Sequence, residues 1–175
     1  VEEVRNRQAL LAQRLVEEAV RKVAAGYDWS RFDNNGDGLV DGLLVVLAGE
    51  GADETAPLNL PANRVRLLAH QFHTTAEVAL RGARVFDYAA VGENAPLGVV
   101  AHEVGHLLGL IDLYQTGGYT GGTGPFGLGD WSLMATGALL RGGTAPSHLD
   151  AWSKARLGFT KPVRALGPFP AYRMP

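Results

Sequence analysis

Apolar residues recur through the first two dozen positions at Val4, Leu11, Leu15, Ala19, Val20 and Val23, with charged and amide side chains between them. That spacing is helical and predicts a packing helix over Glu2–Ala25. The pattern breaks at Tyr27–Asp41, rich in Asp, Asn and Gly, and resumes as Leu43-Leu44-Val45-Val46-Leu47. A short unbroken apolar run of this kind predicts a strand buried on both faces. Arg64–His70 and Ala83–Val91 read as further strands, with Gly49–Asn63 as a polar loop before them. From Pro96 a second helix is predicted, since proline suits a first turn and Leu97, Val99, Val100, Val104, Leu107 and Leu108 follow. Gly117–Gly129 is too rich in glycine for regular structure. Pro146–Leu157 reads as a closing helix, with Leu149, Trp152, Ser153 and Arg156 at helical spacing and Ser147 or Thr144 as its cap. The proline-containing tail from Thr160 is predicted to be extended.

Composition narrows the picture. At 175 residues the chain suits one domain, residues 1–175, large enough for a sizeable core. With 46% hydrophobic residues and a formal charge of -2, nothing favours nucleic acid or an anionic membrane as partner. The longest apolar runs, such as Gly42–Gly49, are strand-sized and fall short of the roughly 20 residues that a membrane helix needs. Cysteine is absent, so redox chemistry says nothing of compartment. The composition is that of an ordinary globular domain, and the missing charged-then-apolar leader fits a mature form or a trimmed one.

The chemistry is concentrated in His102-Glu103-Val104-Gly105-His106-Leu107-Leu108-Gly109-Leu110-Ile111-Asp112. Positions i and i+4 of a helix share a face, so His102 and His106 can aim their imidazoles at one metal ion. Glu103, about 100° further round, falls beside the ion, where a general base belongs. A catalytic zinc needs a third protein ligand and an open fourth position. No glutamate follows Glu103, which leaves Asp112, Asp130, His148 and Asp150 as donors, with Asp150 also read as a cap or inter-lobe partner near the start of the closing helix. Gly109 can turn the chain left-handed after His106 and bring Asp112 back, so Asp112 is the expected third ligand. Without a metal, two histidines and a carboxylate on a largely apolar helix would be costly to bury.

A second constellation is Asp33-Asn34-Asn35-Gly36-Asp37-Gly38-Leu39-Val40-Asp41. Oxygen donors at alternate positions, with glycine at the sixth, let Asp33, Asn35, Asp37, the Leu39 carbonyl and Asp41 converge on Ca2+. The twelfth place is Leu44 and a strand follows, so a complete helix-loop-helix sensor is not expected; the competing reading is a metal-free Asx-and-glycine turn. His70 and His73 lack a nearby third donor and are read as structural.

The zinc run with Leu113-Tyr114 after it, Gly129-Asp130-Trp131-Ser132-Leu133-Met134, and His148-Leu149-Asp150-Ala151-Trp152-Ser153-Lys154-Ala155-Arg156-Leu157-Gly158-Phe159 together resemble the immune inhibitor A family of secreted bacterial metallopeptidases. The Asp-x-Asn-x-Asp-Gly run before Val45-Val46-Leu47-Ala48-Gly49 strengthens the likeness, which covers about residues 33–160. The resemblance implies an α+β, metzincin-like domain: a twisted mixed sheet with two long helices in an upper lobe (about 1–109), and a small lower lobe (about 110–175) ending in a helix. Met134 matches that family type's methionine turn, the apolar floor beneath the zinc ligands. The strand Arg84–Val91 is expected to form the cleft rim, where a polypeptide adds as an extended strand. Tyr114 and Tyr119 are the candidates for a second oxyanion-stabilising group.

The function expected is that of a secreted, monomeric zinc endopeptidase with Glu103 as base, acting on protein or peptide, and released from a pro-segment of the kind larger relatives carry. Its rivals are a catalytically silent calcium/zinc-stabilised binding module, which would have no need of Glu103, and a zinc hydrolase of a non-peptide amide or ester.

Overall fold

The computed structural model describes residues 2–49, 51, 67–114 and 127–163, with side chains of the first helix from residue 9 onward. Helix α1 runs over Glu2–Val23, close to expectation. Its inward stripe is Ala12, Val16 and Val20, each 3% exposed or less, whereas Leu11 and Leu15 face outward at 48% and 46%. The sequence holds two apolar stripes one residue apart, and packing on the sheet selects the one with smaller residues.

Among the described residues three strands form one mixed sheet in the order β1-β3-β2, with β1 at Leu44–Leu47, β2 at His70–Ala79 and β3 at Arg84–Gly92. β1 pairs parallel with β3, Leu44 opposite Ala89. β2 pairs antiparallel with it, His70 opposite Ala90, with an irregularity in register between His73 and Val78. α1 packs on β2, and the second helix packs between β3 and the 3-10 segment Thr136–Gly143. The core gathers Val16, Val20, Trp29, Val40, Val78, Val85, Tyr88 and Ala90.

Four expectations are corrected. β1 is not buried on both faces: among the described residues it is an edge strand, and Leu44 and Val46 are 39% and 60% exposed. The strand expected at Arg64–His70 begins where that range ends; residues 64–66 lie outside the described residues, and 67–69 carry no strand pairing. The alternation that makes β2 is polar over most of its length, His70 to Glu77, so apolar content alone points upstream of it. β3 is the central strand and is paired on both sides, so the rim expected at Arg84–Val91 is not a sheet edge, and it is the start of β2, His70 and Gln71, that lines the cleft. The closing helix α3 is confined to Ala151–Arg156, capped by Asp150 through Ser153 N, rather than by Ser147 or Thr144. Ser147 is turned toward the preceding segment, its hydroxyl donating to the Asp130 carbonyl.

Glu17 fastens the first helix to β2. It is 8% exposed and accepts from the Thr75 backbone N–H at 2.8 Å and from its hydroxyl. The Thr75 hydroxyl bond is the main cause that lowers its pKa, with Arg21 adding to it against the opposing cost of burial. The Gly117–Gly129 stretch falls mostly outside the described residues; its end forms a turn and a short 3-10 helix, Gly129–Trp131.

Candidate metal centre

Helix α2, Leu97–Leu107, starts from an extended Pro96 and buries His102 and Glu103 on the side turned to the cleft. It ends in a compact stop. Gly109 has φ +87°, its N–H donates to the His106 carbonyl at 2.9 Å, and Leu110 N–H donates to the Gly105 carbonyl at 3.1 Å. These are the paired bonds of a Schellman stop, which needs a left-handed residue at this place. The chain then reverses, and Asp112 meets the two histidines.

His102 Nε2 and His106 Nε2 lie 3.1 Å apart, with Asp112 Oδ1 at 3.1 Å from the first and 3.2 Å from the second. Each ring's other nitrogen is committed: His102 Nδ1 to the Leu133 carbonyl and His106 Nδ1 to the Leu110 carbonyl, both at 2.9 Å. A carbonyl only accepts, so both rings are Nδ1–H tautomers when neutral, with bare Nε2 lone pairs. Two lone pairs and a carboxylate oxygen thus face one another at hydrogen-bond distance, an arrangement that repels itself unless a cation lies among them. The donor set, two neutral imidazoles and a carboxylate, suits zinc. Among the described residues this is the one group of three or more His, Asp or Glu side chains whose ligand atoms lie within 4.8 Å of one another.

The other candidate ligands are placed elsewhere. Asp130 accepts from the Thr136 hydroxyl at 3.0 Å, Asp150 accepts from Ser132 and Ser153, and the His148 imidazole does not join the converging group. Met134 is fully buried under α2, where a Cβ on Gly105 would come within 2.6 Å of its sulfur. Glycine between the histidine turns is therefore what lets the thioether approach. The Tyr114 ring stacks near His102, centroids 6.2 Å apart. Burial first, then the charge of Asp112 and a hydrogen bond to it, push the Tyr114 hydroxyl up to about 12. Tyr119 lies outside the described residues.

Two adjoining cavities share His102, Glu103, Tyr114 and Ala69. The polar one, about 250 Å³, adds His70, Gln71, His106 and Asp112. The apolar one, about 290 Å³, runs under Val99, Ala135, Thr136, Ala138 and Leu139. Sequence reasoning missed the wall made by the start of β2. His70 bonds the Leu68 carbonyl at 2.8 Å and the Tyr88 hydroxyl at 3.1 Å, while His73 is sandwiched between Phe72 and Phe86. No local spacing marks His70 as cleft-lining; only the strand order does.

The Asp33–Asp41 loop is built differently. The Asp33 carboxylate accepts from the backbone N–H groups of Gly36, Asp37 and Gly38 at 2.8–3.1 Å. Asp37 accepts from Leu39 N–H at 2.8 Å and from the Asn35 amide at 2.9 Å. Asp41 turns to Asn34, whose side chain and backbone N–H bonds hold its carboxyl below the usual carboxylate range. The loop is stitched to β3 where Arg84 N–H donates to the Gly38 carbonyl and Val40 N–H to the Arg84 carbonyl, each at 2.9 Å.

A paired-imidazole cluster with a buried glutamate beside it, in a cleft under a mixed sheet, is an arrangement that metallopeptidases use. The profile of the immune inhibitor A peptidase M6 catalytic domain matches residues 4–161, and the chain belongs to that family. It is similar to the pre-pro-metalloprotease PrtV of Vibrio cholerae serotype O1 (strain M66-2), 33% identical over 172 residues, covering 82% of this chain and 18% of that protein. It is similar as well to immune inhibitor A of Bacillus thuringiensis subsp. alesti, 32% identical over 165 residues, covering 80% of this chain and 24% of that protein. The chain thus spans less than a quarter of the length of these relatives.

Proposed function

We propose that the chain is the catalytic domain of a secreted zinc endopeptidase in which His102, His106 and Asp112 hold the ion and Glu103 is the general base. The observation that supports this most is the convergence of two Nε2 lone pairs and a carboxylate oxygen whose partners fix them in place. Zinc, when bound, supplies Lewis acidity and a water acidic near pH 7. Glu103, one residue after His102 and 7% exposed, lines both cavities, so it can take a proton from the attacking water and deliver it to the leaving amine. The apolar cavity suits a substrate side chain, and β2, an outer strand among the described residues, suits an extended backbone laid across the cleft. Met134 is the floor beneath the ligands, and Tyr114 is the described tyrosine in reach of a developing oxyanion.

By likeness to PrtV, whose name marks a pre-pro form, we assign this domain a pro-segment and an extracellular place of action. No described helix is long and apolar enough to cross a membrane. We keep the domain as one monomeric unit with its lobes meeting near Gly109. Calcium in the Asp33–Asp41 loop is a proposal carried by its spacing alone.

The deciding experiment is cleavage of a diverse quenched peptide library by zinc-loaded protein beside Glu103→Ala. Cleavage by the wild type alone supports the reading. Silence from both, with zinc bound, returns weight to a binding module or a non-peptide amide or ester substrate.

A further inference from the structure

Asp150 lies in the lower part of the molecule, outside the ligand cluster, yet its hydrogen bonds lead to it. Its carboxylate accepts from the Ser132 hydroxyl at 2.7 Å, the Ser153 hydroxyl at 2.6 Å and Ser153 N–H at 3.0 Å. Ser132 and Ser153 are wholly buried. Burial alone would raise the Asp150 pKa, but these bonds outweigh it and hold the carboxyl ionised. The Ser132 oxygen in turn accepts from Met134 N–H at 3.1 Å. That N–H belongs to the same peptide unit as the Leu133 carbonyl, which accepts from His102 Nδ1–H. A peptide unit is planar, so fixing its N–H fixes the direction of its C=O. Leu133 N–H, bound to the His148 carbonyl at 3.1 Å, restrains the residue from the other side.

Resting on the zinc reading above, we propose that Asp150 is a positioning residue for the metal centre: through Ser132 it locks the Leu133–Met134 peptide, and so the ring angle and tautomer of His102. His106 needs no such device, because Leu110 in the helix stop orients it locally. The arrangement is asymmetric, and that makes it testable. Partners that orient a ligating histidine are typically worth about 10–100-fold in metal affinity.

The test compares the full chain with Asp150→Ala, Ser132→Ala and Ser153→Ala. Zinc affinity is measured by competition with a chromogenic chelator, and the two Nδ1–H resonances by long-range 15N–1H correlation with and without zinc. Ser132→Ala keeps the cap of α3 but cuts the link to Met134, whereas Ser153→Ala removes one hydroxyl from the cap and keeps the link. We expect zinc binding about tenfold weaker in Asp150→Ala and Ser132→Ala and within about twofold of wild type in Ser153→Ala. The His102 Nδ1–H signal should move or broaden in the first two, with that of His106 unchanged. Equal losses in all three, or affinity and His102 signal unaltered by Ser132→Ala, would overturn the proposal and leave Asp150 as a helix cap only. A wild type that binds no zinc would refute the functional reading, while the metal-free His102 signal would still decide the clamp.

Discussion

The two segments whose spacing promises a metal, His102–Asp112 and Asp33–Asp41, differ in what has become of their lone pairs. In the first, backbone carbonyls occupy the far side of each imidazole and leave the near side bare toward Asp112. In the second, Asp33, Asp37 and Asp41 are occupied by amide donors of their own loop. Spacing brings donors into range; whether their acceptor sites are already filled decides how strongly they call for an ion. The helical site is costly without one, whereas the loop is satisfied as a turn.

The contrast can be broken or sharpened in four ways. Replacing Glu103 by Ala should lower kcat/KM by about 10²–10⁴-fold with zinc retained, read by peptide turnover and metal content. Near-normal turnover would remove the proposed base and with it the catalytic reading of the helical segment. Asp112→Ala should weaken zinc binding by more than about 100-fold, beyond what an orienting partner supplies, whereas Asp33→Ala should leave it unchanged. If chelator competition ranks these the other way, the third ligand lies elsewhere.

Calcium at about ten times its dissociation constant should raise the melting temperature of calcium-stripped protein by about 3–6 °C, through mass action on the folded state. An unchanged melting curve would leave the loop a turn. The smallest effect concerns acid. Asp41 has a folded pKa below its ordinary value, so its contribution is present above about 3.9 and is lost as pH falls through the folded value. Melts between about pH 6 and about pH 3 should thus show a shallower loss in Asp41→Asn than in wild type. Parallel curves would mean that the Asn34 contacts do not hold the carboxylate charged.

Much of this was legible in the sequence. The span of α1, the start of α2 at Pro96 and the left-handed Gly109 follow from local rules of spacing, capping and backbone freedom. What eluded it depends on partners far along the chain. Which stripe of α1 faces inward is set by the sheet, and a polar strand such as β2 exists because β3 supplies its hydrogen bonds. An all-apolar β1 suggests burial, but strand order among the described residues leaves it at an edge. Asp150 reads in sequence as a cap and is one; its reach to Ser132 is invisible until the chain has closed.

The separation between the two histidines' carbonyl partners bears on how the centre comes into being. The three donors sit within eleven residues and His106 finds its carbonyl four residues away, whereas His102 finds its own 31 residues on. Contacts this local close in about 10–100 ns, and distant ones wait for the rest of the chain. The three donors can therefore meet before Leu133 arrives to orient the His102 ring, so alignment of the cluster depends on the chain having closed.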